Sequence, residues 1–183
     1  MSAVQSATKL SAGVWNIDAS HSSVAFVVRH LVVSKVRGRF DTFSGSINVA
    51  EDPLQSTAEA TIDVASVNTS DEGRDGHLRA PDFFDAAQFP TITFRSTSVR
   101  PKGDDFVLVG DLTIKGVTKP VEIDLEFNGV EGDPWGGTRA GFSAETEINR
   151  KDWGLEWNMV LETGGVVVGD KVKIQLEVEA VKA

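Results

Sequence analysis

Residues 21–49, HSSVAFVVRHLVVSKVRGRFDTFSGSINV, constrain the fold more than any other stretch of the chain. Side chains alternate across an extended backbone with period two. Val24, Phe26, Val28 and His30 therefore share one face, and Ala25, Val27, Arg29 and Leu31 the other. After a break expected at Ser34 and Lys35, the extended pattern resumes through Val36, Gly38 and Phe40. It then runs on past Phe43 and Gly45 to Ile47 and Val49. Two long strands joined so tightly pair antiparallel. Apolar residues on both faces mean that the hairpin is covered on each side or curled on itself. Gly38 and Gly45 mark the corners expected where a bent strand turns, as in a sheet that closes.

The rest of the chain continues the β pattern. Residues 14–17 read as a short first strand, and residues 57–64 alternate with one wet face. Further strands are expected at residues 91–100, 106–114, 120–127 and 139–149, with a tight corner at 150–154. The last, 172–180, sets Val172, Ile174, Leu176, Val178 and Ala180 against Lys173, Gln175, Glu177 and Glu179. Residues 68–84 hold the one helix, capped by Asn68, Thr69 or Ser70, with Asp71 and Glu72 in its first turn. Gly73 and Gly76 weaken it and Pro81 stops it, and Phe83, Phe84 and Phe89 anchor it to the rest of the fold. Eight or nine strands with turns at this spacing define a sandwich or a barrel. Residues 1–12, MSAVQSATKLSA, are small and polar and read as a flexible tail, leaving residues 13–183 as one domain.

Composition removes whole classes of chemistry. A net charge of -9 argues against nucleic acid, which is bound by cations that neutralise phosphates, and against a polybasic membrane segment. With no cysteine, disulfides, thiolate nucleophiles and Cys-ligated metals are absent, and with no tyrosine there is no phenolic acid. No run approaches a spanning helix, so the chain is not expected to be membrane-embedded. The first twelve residues lack the apolar core of a signal peptide, and the expected location is cytoplasmic.

Motifs for catalysis are weak. There is no G-x-S-x-G, and His21, His30 and His77 fall on separate elements. His21 and His30 are an odd number of residues apart, so on one strand they face opposite ways; no metal site and no catalytic residue is assigned. The run from Gly164 to Lys171 lacks the Ser or Thr and the succeeding helix of a phosphate loop. The positive signal is apolar alternation. It nominates Phe26, Val28, Phe40, Phe94, Ile114, Ile123 and Phe142 as inward residues, lining either a packed core or a space for one small ligand.

Five runs, HSSVAFVVRHL, VRGRFDTFSGSI, RDGHLRAPDFFDAAQFPTITFRS, GDLTIKGVTKPV and INRKDWGL, resemble the signature blocks of the bacterial YceI-like family, and the resemblance extends from Trp15 to the last strand. It implies an all-β fold, an eight-stranded antiparallel lipocalin-like β-barrel with one short helix. It also implies an apolar tunnel for a polyisoprenoid or other long-chain amphiphile, bound or carried without catalysis and with no cofactor. On that reading the seven inward residues line the tunnel, and Phe83-Phe84 and Trp153-Trp157 gate it with the helix. His30, Arg79, Asn149 and Arg150, in that order, are the candidates to meet a polar head, with His30 pointing inward and hydrogen-bonded. Two other readings stay open: an enzyme acting on such a lipid with His30 or a carboxylate as acid or base, and a redox module in which a histidine opposite Met159 ligates haem. The oligomeric state is open, a homodimer included.

Overall fold

The computed structural model describes residues 2–7 and 9–183. Its strands are β1 (Gly13–Ile17), β2 (Ser23–His30), β3 (Ser34–Phe40), β4 (Phe43–Val49), β5 (Thr57–Asp63), β6 (Val67–Asn68), β7 (Thr91–Lys102), β8 (Asp105–Ile114), β9 (Val117–Gly132), β10 (Thr138–Asn149) and β11 (Val168–Lys182), with helices α1 (Ala3–Ala7) and α2 (Glu72–Arg79). Neighbours in the sheet run β1-β4-β5-β7-β8-β9-β10-β11, and β11 pairs back onto β1. Those eight strands, antiparallel throughout, close a barrel. Closure removes the unpaired edges those eight strands would otherwise present, and the free edge of the sheet is left on β3 and the two-residue β6.

The length of β11 makes this possible. Its C-terminal end pairs β1 from Ile17↔Ala180 to Trp15↔Lys182, while its N-terminal part pairs β2 from Val172↔Val28 to Glu177↔Ser23. From β2 the sheet continues to β3 and β6. The buried side chains fall into separate clusters. Phe40, Ile92, Leu112, Ile114, Val121, Ile123 and Ile148 gather toward the end that α2 covers, and Trp15, Val49, Ala140 and Ala180 toward the other.

The structure departs from the sequence reading in five places. The break expected at Ser34 and Lys35 lies at Leu31, Val32 and Val33, where Leu31 (φ 53) and Val32 (φ 65) take left-handed backbone, and Ser34 already belongs to β3. Second, the long strand expected after the break is two strands, because the chain turns sharply at Asp41 and Thr42. Ser66 fixes that turn: the Asp41 amide donates to its carbonyl (3.1 Å) and the Thr42 amide to its hydroxyl (3.0 Å).

The third departure concerns the two glycines. The ladders pass Gly38 and Gly45 without a bulge, so neither makes a corner. Both are sites of close approach instead: a Cβ on Gly38 would overlap the Phe26 ring, and one on Gly45 would lie 2.5 Å from the Glu59 carbonyl oxygen. Fourth, the helix is shorter than residues 68–84 and is capped by Asp71, whose side chain accepts from the Arg74 amide. Thr69 serves the adjoining loop, where its amide and hydroxyl both donate to the buried Asp75 carboxylate (2.8 and 2.6 Å).

The fifth departure is at the N-terminus. Much of the expected tail is ordered as α1, which buries Ala3 and Ala7 against Phe106, Leu54, Val99, Leu125 and Phe127. Small side chains let so short a helix lie close on the barrel, and its stability comes from that burial, since five residues do not hold a helix alone. Met1 and Thr8, also assigned to the tail, lie outside the described residues.

Candidate functional site

The barrel encloses a cavity of about 330 Å³. Ala7, Leu10 and Pro53 line it at the α1 end, and Leu78, Phe83, Phe84 and Leu155 at the α2 end. Between them the wall on β8 runs from Phe106 through Leu108 and Leu112 to Ile114. With a rise of ~3.4 Å per residue and a strand tilt of ~40°, that span is about 20 Å along the axis. The cavity is therefore long and narrow, with a segment from outside the barrel ring across each end.

Ten of the fifteen residues nominated from sequence lie in this wall: Phe26, Val28, Phe40, Phe83, Phe84, Phe94, Ile114, Ile123, Phe142 and Arg150. The aromatic members form a relay toward the α2 end, Phe26 to Phe40 (ring centroids 5.7 Å) and Phe40 to Phe84 (5.9 Å). Gly38 makes the first of these rings possible by leaving room for it on the directly paired strand.

The other five stand outside the wall. His30 follows the inward parity of Phe26 and Val28 but does not line the cavity, although its cross-strand partner Val168 does, across an irregular stretch of the β2–β11 ladder. Its ring is half-buried at the rim and has no hydrogen-bond partner among the described residues, contrary to expectation. Arg79 donates to the Ala65 carbonyl (3.1 Å) and lies 3.4 Å from Glu72, fastening α2 to the β5–β6 connection. Asn149 is exposed and caps the one-turn helix Arg150–Trp153. Trp153 is buried and donates to the Leu112 carbonyl (3.0 Å), which fixes that turn on β8. Trp157 packs edge-on against His77 (4.7 Å) and tilted against Phe83 (5.4 Å), so it joins the loop after β10 to α2 and the segment behind it.

Arg150 places a charge in the apolar wall with 3% of its surface exposed. It donates to the carbonyls of Gly169 (2.8 Å), Leu155 (2.5 Å), Trp157 (3.0 Å) and Val168 (3.4 Å). Burial pulls its pKa down, and the Asp170 carboxylate, 3.8 Å away, acts in the opposite direction. The guanidinium thus organises residues 150–169 and directs its donors into protein carbonyls.

Glu59 is the other ionisable residue of the wall among the described residues; its exposed carboxylate lies 3.8 Å from Arg95. The carboxyls held below their ordinary range, Asp18, Asp41, Asp133 and Glu145, are all outside the wall. Asp18, His21 and Glu179 bring ligand-type atoms within 4.8 Å of one another. Arg139 already supplies a cation there, 2.9 Å from Asp18 and hydrogen-bonded to Glu179. Met159 is exposed and is not a wall residue.

Several wall residues escape the sequence reading. Phe106, Leu108 and Leu112 obey the same period-two rule that selects Ile114. Ala7 and Leu10 carry no such signal, because they come from the segment read as a tail.

A closed antiparallel barrel around an elongated apolar interior is a lipocalin-like architecture. The chain belongs to the YceI-like family, whose domain pattern matches residues 15–180. It is similar to a UPF0312 protein of Staphylococcus aureus strain N315, with 43% identity over 170 residues, 90% of this chain and 95% of the relative. Among solved structures, BcnA of Burkholderia cenocepacia matches with a TM-score of 0.75 at 26% identity, covering 89% of this chain and 98% of that one. The YceI protein of Campylobacter jejuni matches at 0.71 and 31%, covering 85% and 90%. A polyisoprenoid binding domain from Saccharophagus degradans matches at 0.70 and 20%, covering 94% and 100%, a likeness of fold. No helix among the described residues is long and apolar enough to cross a membrane.

Proposed function

We propose that this barrel binds a polyisoprenoid or another long-chain amphiphile in its interior and carries it without changing it chemically. The observation that supports this reading most is the continuous apolar wall from Ala7 and Leu10 to Phe83 and Leu155. A free hydrocarbon chain exposes apolar surface to water, and burying each methylene-sized group gains about 0.8 kcal/mol. Ten such groups gain about 8 kcal/mol by the same coefficient before the cost of ordering the chain is subtracted. Useful affinity then needs no specific polar contact.

The polar head of such a ligand stays at the α2 end, near the rim where His30 has an unpartnered ring. Arg150 is poorly suited to hold it, because protein carbonyls already take its donors. Acid–base chemistry on the chain would require a titratable group beside the reacting atom. The ionisable wall residues, Glu59 in its exposed position and Arg150 in its carbonyl cage, favour binding over catalysis. The structural neighbour from Saccharophagus degradans, a polyisoprenoid binding domain, is consistent with this ligand class.

The test is mass spectrometry of organic extracts from gently purified protein, together with titration of a long-chain isoprenoid alcohol into the stripped protein. The expected result is one long-chain lipid per barrel and saturable binding that changes little with salt. Absence of any lipid from the extract combined with no binding of the added alcohol contradicts the proposal.

A further inference from the structure

We propose that the tip of the β2–β3 hairpin, with the loop beside it, docks the barrel on an anionic lipid membrane. Eight large apolar side chains are notably exposed among the described residues, and six of them are here: Leu31, Val32 and Val33 on the hairpin, and Met159, Val160 and Val166 on the loop. Val33 is 86% and Val160 77% exposed. The two tips adjoin, since the Leu31 amide donates to the Val167 carbonyl (2.9 Å) and a Cβ on Gly165 would lie 3.6 Å from a Val32 methyl. Singly scattered apolar residues need no explanation, but a cluster of this kind marks an interaction surface.

The backbone points the same way. Leu31 and Val32 have φ of 53° and 65°, a conformation that favours Gly or Asn and that a β-branched residue adopts only under strain. A hairpin that served connection alone would place polar turn residues there. This one holds apolar side chains outward in spite of their backbone preference.

Charge identifies the partner. The chain carries a net charge of -9, yet residues 19–40 contain no Asp or Glu. Arg29, Lys35 and Arg37 lie just behind the tip, exposed and without an ion pair among the described residues. Arg29 and Lys35 are directly opposed across the strand pair. Like charges so placed repel, and an anion beside them relieves that repulsion. Glu162, in the turn of the adjoining loop, is the acid nearest in sequence to its apolar residues.

A lipid surface offers phosphates above an apolar layer, matching cations set behind an apolar tip. A second copy of this chain related by a two-fold axis would bring the same cations to the interface. These surface features are independent of what the cavity holds.

The experiment is sedimentation of the full chain with vesicles of phosphatidylcholine plus phosphatidylglycerol, and with vesicles of phosphatidylcholine alone. The protein is expected to bind the anionic vesicles preferentially and to be released by salt. Replacing Arg29, Lys35 and Arg37 by Gln should weaken binding about fivefold per cation removed. The pair Val32→Asn and Val33→Ser should weaken it about tenfold or more through lost apolar insertion. Asn also suits the left-handed backbone, so this variant should melt no lower than the parent, which separates docking from folding. Equal binding to both vesicle types overturns the proposal, as does binding unaffected by these substitutions. A change of oligomeric state in the valine variant without any vesicle binding by the parent assigns the patch to a second copy and likewise overturns it.

Discussion

Arg150 illustrates how a residue of a cavity wall can direct its donors into the protein's own carbonyls. Its guanidinium ties Leu155 and Trp157, in the loop after the Arg150–Trp153 turn, to Val168 and Gly169 at the start of β11. Replacement by Met leaves those carbonyls without their donor and should cost about 3 kcal/mol or more in urea unfolding. Lys should restore little, because one ammonium cannot reproduce the planar fork. An unchanged unfolding midpoint in both variants contradicts the structural role. Gly38 acts through space rather than through a bond. Gly38→Ala drives a Cβ into the Phe26 ring and should destabilise the protein by about 1–3 kcal/mol. Adding Phe26→Leu should recover part of that loss, an interaction visible in a double-mutant cycle. Independent, additive effects of the two substitutions would contradict the contact. In the sequence Gly38 stands out as a special position, but its role is to make room rather than to bend the strand. A glycine needed for bending and one needed for a neighbouring ring look alike until the strand register is known.

The secondary elements differ in how clearly the sequence marks them. Strand β8 opens on four consecutive apolar residues, 106–109, and alternates only toward Ile114, whereas β11 alternates over many residues, so its apolar face is legible. The β2–β3 turn is not, because turn rules favour polar residues and point to Ser34 and Lys35 instead of Leu31–Val33. Helix α1 is invisible for a different reason: in AVQSA the spacing of Ala3, Val4 and Ala7 spans barely one turn of small residues, and its order depends on the surface of Phe106 and its neighbours. Helix α2 is legible because capping and first-turn acids flank it, although Asp71 rather than the preceding residues supplies the cap. Its glycines make it a weak element over one end of the cavity. A methyl group added at Gly76 meets no atom within 4 Å. Gly76→Ala should therefore stabilise the helix by about 1 kcal/mol and, if α2 moves to admit ligand, slow association in stopped-flow measurements. A stabilised variant with an unchanged association rate contradicts a lid function for α2.

At the scale of the whole molecule, the barrel is closed by β11 and braced near its β1 junction by Arg139, which reaches Asp18, Asp133 and Glu179 from β10. Hydrogen bonds from Ser20, His21 and Arg139 hold the Asp18 carboxyl well below its ordinary range. The Gly137 amide and Arg139 lower that of Asp133. Because the folded state lowers these pKa values, their stabilisation is present above the unfolded carboxylate value near pH ~4 and fades as pH falls below it. The melting temperature should therefore drop as pH falls below about 4. Arg139→Gln should lower it at neutral pH and make the acid-dependent fall shallower. The same fall in both proteins contradicts this role of the network.

The β-rich architecture and ten residues of the wall are legible in the sequence, because alternation reports which strand face is apolar, whereas closure into a barrel rather than a sandwich is read from the family resemblance. Breaks in ladder register are not legible, and His30, with the right parity, stands outside the wall beside the irregularity between Val168 and Val172. The most direct test of the proposed interior site is titration of a fluorescent long-chain isoprenoid into the parent and into Val28→Trp, with matched circular dichroism spectra establishing that both are folded. Val28 lies in the wall, and an indole there occupies space that the chain would need. The predicted result is saturable binding by the parent and at least about a tenfold loss in the variant, the scale expected for displacing two or more buried methylene-sized groups. Undiminished binding by folded Val28→Trp would contradict the placement of the ligand inside the barrel.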